Sequence, residues 1–135
     1  MEMDRRTSLQ ALAISGLALG ANQAATANVL AADRGPVRVV IYDGRYPSCR
    51  DFAKVHAGQD VLLVDTQAQD IGLAWRGKIA AHIVKRPGRI EGLSLFADQF
   101  VSALMARDHG LRLKAEDRVT SKLSAEPSFF RWTLA

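Results

Sequence analysis

The chain has 135 residues, a formal net charge of +4 and a single cysteine. This length fits one domain, and 48% apolar with 24% charged residues is typical of a globular core rather than a disordered chain. One cysteine excludes a disulfide scaffold, a cysteine-based zinc finger and a C-x-x-C redox or haem motif within this chain.

The first residues have the three parts of a secretory signal peptide. Arg5 and Arg6 precede an uncharged stretch from 11 to 21 that is rich in Ala, Leu and Gly. Ala25-Thr26-Ala27 then forms an A-x-A cleavage site. The apolar run is shorter than the ~20 residues needed to cross a bilayer, so we expect no stable membrane span.

The motif Asp4-Arg5-Arg6-Thr7-Ser8-Leu9-Gln10 resembles a twin-arginine (Tat) export signal, with Arg5, Arg6 and Leu9 at the characteristic positions. The resemblance implies that the Tat translocase exports the protein to the periplasm after it has folded in the cytoplasm. The alternatives are an ordinary secretory signal that carries paired arginines, or an uncleaved N-terminal anchor.

The mature domain is expected to follow cleavage after Ala27, with cuts after Ala31 or Ala32 as alternatives. We therefore predict a signal peptide over residues 1–27 and a single α/β domain over residues 28–135. The side-chain charges of the first segment cancel, so the mature domain keeps the charge of +4.

The first elements of this domain suggest a parallel β-α-β unit. β-branched residues at 37–42 predict a strand, and Pro47-Ser48 predict the start of a helix, because Pro is tolerated in a first turn and Ser is a capping residue. A buried strand follows at 60–65. One face of the predicted helix carries Cys49, Phe52, Ala53 and His56.

The middle of the chain predicts a second helix over 67–75 and a third strand over 79–84. Arg86-Pro87-Gly88 predicts a turn. The clearest helix follows, with Ser94 as its N-cap and Gly110 beyond its end. Its apolar stripe is predicted to face the core and consists of Phe96, Phe100, Ala103, Leu104 and Arg107.

Three further segments complete the predicted fold. We expect a short extended segment over 90–93, a half-exposed strand over 111–114, and a closing edge strand or docking segment over 129–134. The candidates for contact with a protein partner are Phe129, Phe130 and Trp132. Together these elements predict an α/β fold with a small, mostly parallel sheet of about four to five strands and two or three helices. The arrangement would be Rossmann-like or thioredoxin-like, at about half the usual size of such a fold.

Two acidic residues directly follow predicted strands. Ligands of open parallel sheets bind at the carboxyl ends of the strands, so Asp43 and Asp65 are candidates to hold a polar ligand or a divalent cation. Arg45 and Tyr46 would line the same edge. The alternative is that both aspartates only form turns and caps.

Cys49 is the candidate for thiol chemistry. Val39-Val40-Ile41-Tyr42 followed by Tyr46-Pro47-Ser48-Cys49 resembles the first strand and active-site turn of glutaredoxin-like proteins, whose C-P-x-C motif opens a helix. The resemblance implies a redox role for Cys49, although Tyr46 stands where the family has its nucleophilic cysteine. The alternative is that Cys49 is a small buried residue of the first helix.

The remaining polar residues form no complete catalytic or metal-binding motif. His56, His82 and His109 lack metal-ligand spacing, and we predict neither a metal nor a cofactor. Five basic residues lie within fourteen positions and could bind an acidic partner or a lipid surface. The alternative is that they only form a solvated face of the domain. Export argues against nucleic acid as the partner. This basic cluster consists of Arg76, Lys78, Lys85, Arg86 and Arg89.

The stretch from Arg89 to Leu113 resembles small exported bacterial proteins, and Ile90-Glu91-Gly92-Leu93 lies near its start. This resemblance implies no activity. The leading hypothesis is a non-catalytic accessory or ligand-binding domain of the periplasm, with a small ligand or a protein as its partner. The alternatives are a thiol-redox protein that uses Cys49 and a metal-dependent site at Asp43 and Asp65.

Overall fold

The computed structural model describes residues 35–121, 123 and 125–135. The predicted signal peptide, its cleavage sites and the twin-arginine motif therefore lie outside the described residues. The elements follow in the order β1 (Val37–Tyr42), α1 (Pro47–His56), β2 (Leu62–Asp65), α2 (Ile71–Ala74), a π-helical turn (Trp75–Ile79), α3 (Ala80–Lys85), β3 (Arg89–Ser94), α4 (Phe96–Ala106), a 3₁₀ turn (Arg107–His109), β4 (Leu113–Val119) and β5 (Phe129–Leu134).

The strands form one five-stranded sheet in the order β2-β1-β3-β5-β4. β1 pairs in parallel with both β2 and β3, whereas β5 runs antiparallel to both β3 and β4. The predicted α/β class and number of strands are confirmed. The sheet is mixed rather than mostly parallel, because the last two strands form an antiparallel pair that extends the parallel half.

Helices cover both faces of the sheet. α1 packs on one face, over a core of Cys49, Leu93 and Phe129. The continuous helical segment 71–85 and α4 pack on the other face, over a larger core. The larger core contains Val39, Ile41, Val64, Ala74, Trp75, Ile79, Ile83, Ile90, Ala106, Trp132 and Leu134.

The start of α1 is capped by a carboxylate from far along the chain. The sequence predicts Ser48 as a capping residue, but Ser48 is itself a donor: its backbone amide and hydroxyl bond the Glu126 carboxylate at 3.1 and 2.6 Å. Ser121 also donates to Glu126. Desolvation alone would raise the pKa of Glu126, but its hydrogen bonds with Ser121 and Ser48 together lower it. A negative charge therefore lies at the positive end of the helix dipole.

The prediction of a third strand over 79–84 is wrong, because these residues continue the helical segment 71–85. Trp75, Ile79 and Ile83 recur every four residues and are all buried. That spacing places three large side chains on one helical face. Packing against the sheet thus favours a helix over the strand that the β-branched residues suggest.

The predicted inner face of α4 is also wrong. The helix begins at Phe96 rather than after a Ser94 cap, since Ser94 belongs to β3. Its buried residues are Gln99, Ser102 and Ala106. Phe96 and Phe100 are each 51% exposed and Leu104 is 46% exposed, so the most apolar stripe faces away from the core.

The segment 129–134 is a strand, but it is not an edge strand. β5 lies between β3 and β4, and Phe129 and Trp132 are fully buried. They are therefore core residues rather than exposed contacts for a partner, and only Phe130 stays partly exposed. The edge strand next to β5 is β4, and its charged residues discourage pairing with a strand of another chain.

The centre of the sheet depends on a glycine. A Cβ atom at Gly92 would lie 2.1 Å from the Trp132 ring, because that ring lies directly on the backbone of β3. The indole N–H of Trp132 donates to Ser94 Oγ at 3.1 Å. On the same face, the indole N–H of Trp75 donates to Ser102 Oγ at 3.1 Å. Both buried indoles therefore have hydrogen-bond partners.

Replacing Gly92 with alanine should destabilise the domain, because the new methyl group needs the space that Trp132 occupies. We expect Gly92→Ala to lower the free energy of unfolding in urea by about 2–3 kcal/mol. Gly77→Ala is the matched control, since a Cβ there meets nothing within 4 Å. Its effect should be neutral or stabilising by up to about 1 kcal/mol. Equal effects of the two substitutions would contradict this account.

Candidate functional site

The chain leaves the carboxyl ends of the parallel strands in opposite directions. From β1 it continues to α1 on one face, whereas from β2 and β3 it continues to helices on the other face. Because β1 lies between β2 and β3, the loops separate on both sides of it. This divergence of the loops marks the part of the sheet edge at which open α/β sheets bind their ligands.

Asp43 and Arg45 form the central ion pair at this edge. Arg45 Nε and Nη2 donate to the two oxygens of Asp43 at 3.1 and 2.8 Å, and the Arg45 backbone amide adds a third bond of 3.1 Å. Asp43 is fully buried, whereas the Arg45 side chain is 48% exposed. The hydrogen bond to Asp43 raises the pKa of Arg45. A cation is thus fixed at the surface by a buried carboxylate.

Asp65 fastens the turn after β1 to the end of β2. Its Oδ1 accepts the backbone amides of Gly44 and Gln67, each at 2.9 Å. The carboxylate lies so close to Gly44 that a Cβ there would be 2.1 Å from Oδ2. Asp65 therefore has the structural role of a turn former, next to the Asp43–Arg45 pair.

Tyr46 completes the set of four predicted site residues. Its ring contacts Phe129 with centroids 5.2 Å apart, and the Arg45 guanidinium lies 5.1 Å from its centroid. The structure thus brings Asp43, Arg45, Tyr46 and Asp65 together around the turn between β1 and α1.

Asp98 is a further residue of this edge that the sequence did not single out as a ligand contact. It lies in the first turn of α4 and interacts electrostatically with Asp43 and Arg45. Burial raises the pKa of Asp98 and the charge of Asp43 adds to the rise, while the neighbouring Thr66 hydroxyl and Arg45 oppose it. The sequence places Asp98 just after an extended segment, but its place beside Asp43 depends on the pairing of β3 with β1, which no local pattern reveals.

The edge can bind and orient a polar molecule through fixed groups. Arg45 offers an exposed, immobilised guanidinium, and Asp98 offers a carboxyl group that takes up a proton more readily than an ordinary aspartate. Asp43 and Asp65 are already engaged by Arg45 and by backbone amides. Among residues 35–121, 123 and 125–135, no cluster of three or more His, Cys, Asp or Glu side chains could hold a metal ion.

Cys49 lies beneath this edge as a core residue. It is fully buried in the first turn of α1. Burial raises the pKa of Cys49 to about 12, and the charges of Asp43 and Glu126 add to the rise. This environment favours the neutral thiol, whereas thiol catalysis requires the thiolate.

The buried thiol should react slowly in the folded protein. With a pKa of about 12, roughly one Cys49 in ten thousand is a thiolate at pH 8. We expect iodoacetamide to modify the native protein at least a hundredfold more slowly than the urea-unfolded chain, as followed by mass spectrometry. Similar rates in the two states would show that the thiol is accessible and ionised, and would revive the redox hypothesis.

The three histidines lie in separate surroundings. Burial lowers the pKa of His56, at the end of α1. His82 Nε2 lies 2.9 Å from the carbonyl oxygen of Asp60, and the His109 ring stacks on Trp75 with centroids 6.0 Å apart. The structure therefore does not bring them together as a site.

The predicted basic cluster divides between surface and interior. Arg76, Lys78, Lys85 and Arg86 are exposed, and Arg86 pairs with Asp60 at 3.3 Å. Arg89 instead turns inward and binds Glu91 at 2.8 Å. Thr133 donates to the same Glu91 carboxylate at 3.0 Å. The buried Glu91 is thus compensated by an arginine and a hydroxyl group.

No protein-family model, curated protein or solved structure matches the chain. Within the part of the chain that the structure describes, no helix is long and apolar enough to cross a bilayer.

Proposed function

We propose that this protein is an exported, non-catalytic ligand-binding domain of the periplasm whose site is the carboxyl edge of β1, β2 and β3. The observation that carries the proposal is the Arg45 guanidinium, which is half exposed yet fixed by two bonds to the fully buried Asp43. A cation held in this way is preorganised, so little side-chain entropy is lost when a ligand binds.

The chemistry at this edge suits recognition of a small polar molecule. Arg45 donates hydrogen bonds, while Asp98 accepts them when ionised and donates one when protonated. The Tyr46 ring supplies an apolar wall beneath the guanidinium. Asp43 and Asp65 hold the turn rather than the ligand. This division of roles supports binding more than bond-making chemistry, because the buried groups serve to fix the exposed ones.

Loss of the Arg45 guanidinium should abolish ligand retention. The protein is purified from the periplasm without denaturation, and the molecules that unfolding releases are identified by mass spectrometry. We expect the wild type to release one small polar molecule in stoichiometric amount and Arg45→Gln to release little. The matched control is Arg112→Gln, which removes an exposed arginine at the opposite end of the sheet. Wild-type protein without a ligand, or equal loss in both variants, would contradict the proposal.

Export through the Tat translocase is part of this proposal. Arg5, Arg6 and Leu9 support it by their fit to the twin-arginine pattern, and the short, weakly apolar stretch that follows supports it as well. Cleavage after Ala27 would release the domain into the periplasm. Folding before transport would allow the domain to take up its ligand in the cytoplasm.

Replacing both signal arginines by lysine should block export while preserving the charge. We expect the Arg5→Lys, Arg6→Lys double variant to accumulate in the cytoplasm, as measured by cell fractionation. The control substitution Arg34→Lys, beyond the predicted cleavage sites, should leave periplasmic levels unchanged. The Tat assignment would be refuted if the double variant were exported at the wild-type level. It would also be refuted if cells that lack the translocase exported the wild-type protein as well as normal cells do.

A further inference from the structure

His56, the last residue of α1, lies where the helix end contacts the sheet. Its partly buried ring lies against the Phe52 ring, with centroids 4.5 Å apart. The Arg131 guanidinium of β5 lies 5.6 Å from the centroid of the same Phe52 ring. The attachment of the helix end to the sheet therefore depends on how well the His56 ring is accommodated.

One nitrogen of the His56 ring is buried without a hydrogen bond. Among residues 35–121, 123 and 125–135, no group pairs with its buried Nδ1 atom. A neutral ring tolerates this position, because it can carry its proton on Nε2 and leave Nδ1 as a bare acceptor. A protonated ring has an N–H at both nitrogens, so it would bury a charged donor that has no acceptor. The geometry thus favours the neutral ring.

The buried carboxylate nearest in effect to His56 is already engaged. Glu91 of β3 attracts a proton to the ring, whereas Arg131 and Arg89 repel it. The Glu91 carboxylate is bound by Arg89 at 2.8 Å and by the Thr133 hydroxyl at 3.0 Å. Glu91 is therefore balanced within the interior and does not need a histidinium as its partner.

The surrounding charges add no net attraction for a proton. Asp117 of β4 lies opposite Arg131 in the register of the two antiparallel strands. Glu91 and Asp117 thus match Arg89 and Arg131 in charge. Burial decides the balance, and it lowers the pKa of His56. The other charged side chains of α1 and β1 lie at the surface or are otherwise engaged: Arg50, Asp51 and Lys54 are exposed, and Arg38 donates to the Pro87 carbonyl at 3.3 Å.

We propose that His56 is an acid-sensitive contact, which fastens the end of α1 to the sheet while its ring is neutral and loosens it when the ring takes up a proton. The unfolded chain binds this proton more readily, because its histidine has the ordinary pKa of 6.5. The stabilising contribution of the contact is therefore complete above pH 6.5 and is lost as the pH falls below that value. This role goes beyond the proposed ligand site, which lies before the other end of α1.

The first test follows the His56 ring by NMR in the folded full chain. We expect its titration between pH 8 and pH 5 to have a midpoint below 6.5. Arg131→Gln removes a cation that repels the proton, so the midpoint should rise. The matched control is Arg118→Gln, because Arg118 lies on the opposite face of β4 beside Phe130. It should leave the midpoint unchanged.

The second test measures whether protonation of the ring loosens the fold. We expect the urea midpoint of the wild type to fall between pH 8 and pH 5.5. His56→Gln should lose about half of that fall or more, because glutamine does not titrate. The matched control is His82→Gln, which removes the histidine bonded to the Asp60 carbonyl and should keep the wild-type fall. His56→Leu serves as a second variant if glutamine at this position prevents folding.

Three results would overturn the proposal. A His56 midpoint at or above 6.5 in the folded protein would show that the ring accepts a proton without cost. Equal midpoints in Arg131→Gln and Arg118→Gln would show that the facing charges do not act on the ring. An equal fall of the urea midpoint in the wild type and in the His56 variants would assign the acid sensitivity to other groups. The NMR titration uses the wild type, so it decides the proposal even if neither His56 variant folds.

Discussion

The close approach of the Trp132 indole to the backbone of Gly92 sets the arrangement of the larger core. β5 can lie beside β3 in this register only because position 92 has no side chain. The ring belongs to the same core as the inner side of α4, where Ala106 is buried and Met105 packs against the cluster. Phe96, Phe100 and Leu104 lie on the outer side of the helix, where each is about half exposed.

The sheet divides its roles between its parallel and antiparallel halves. The parallel strands β2, β1 and β3 direct their loops to opposite faces and so create the polar edge around Asp43 and Arg45. The antiparallel strands β5 and β4 contribute no residue to that ion pair. They supply Trp132 to the larger core, and Arg118 of β4 lies over the Phe130 ring of β5.

Local sequence patterns predict the elements whose residues are contiguous in the chain, and they fail where long-range packing decides the structure. The unit from 37 to 65 was recognisable because its two strands and its helix are contiguous, and Asp43 and Asp65 followed from it. The segment 79–84 was mistaken for a strand because β-branched residues suit either structure, and only packing against the sheet selects the helix. The place of Asp98 in the site was missed because it depends on β3 being a central strand beside β1, which is a long-range fact.

The strand order also sets a timing problem for the newly made chain. β3 pairs with β1 on one side and with β5 on the other. The first residue of β5 follows Ser94, the last residue of β3, by 35 positions. At about 5–20 residues per second, a ribosome needs roughly 2–7 s to produce that interval. Until β5 is available, the second edge of β3 has no partner within the sheet, and its N–H and C=O groups are paired only once β5 joins it. The sheet is therefore completed near its centre, by the strand that is synthesised after all the others and lies between β3 and β4.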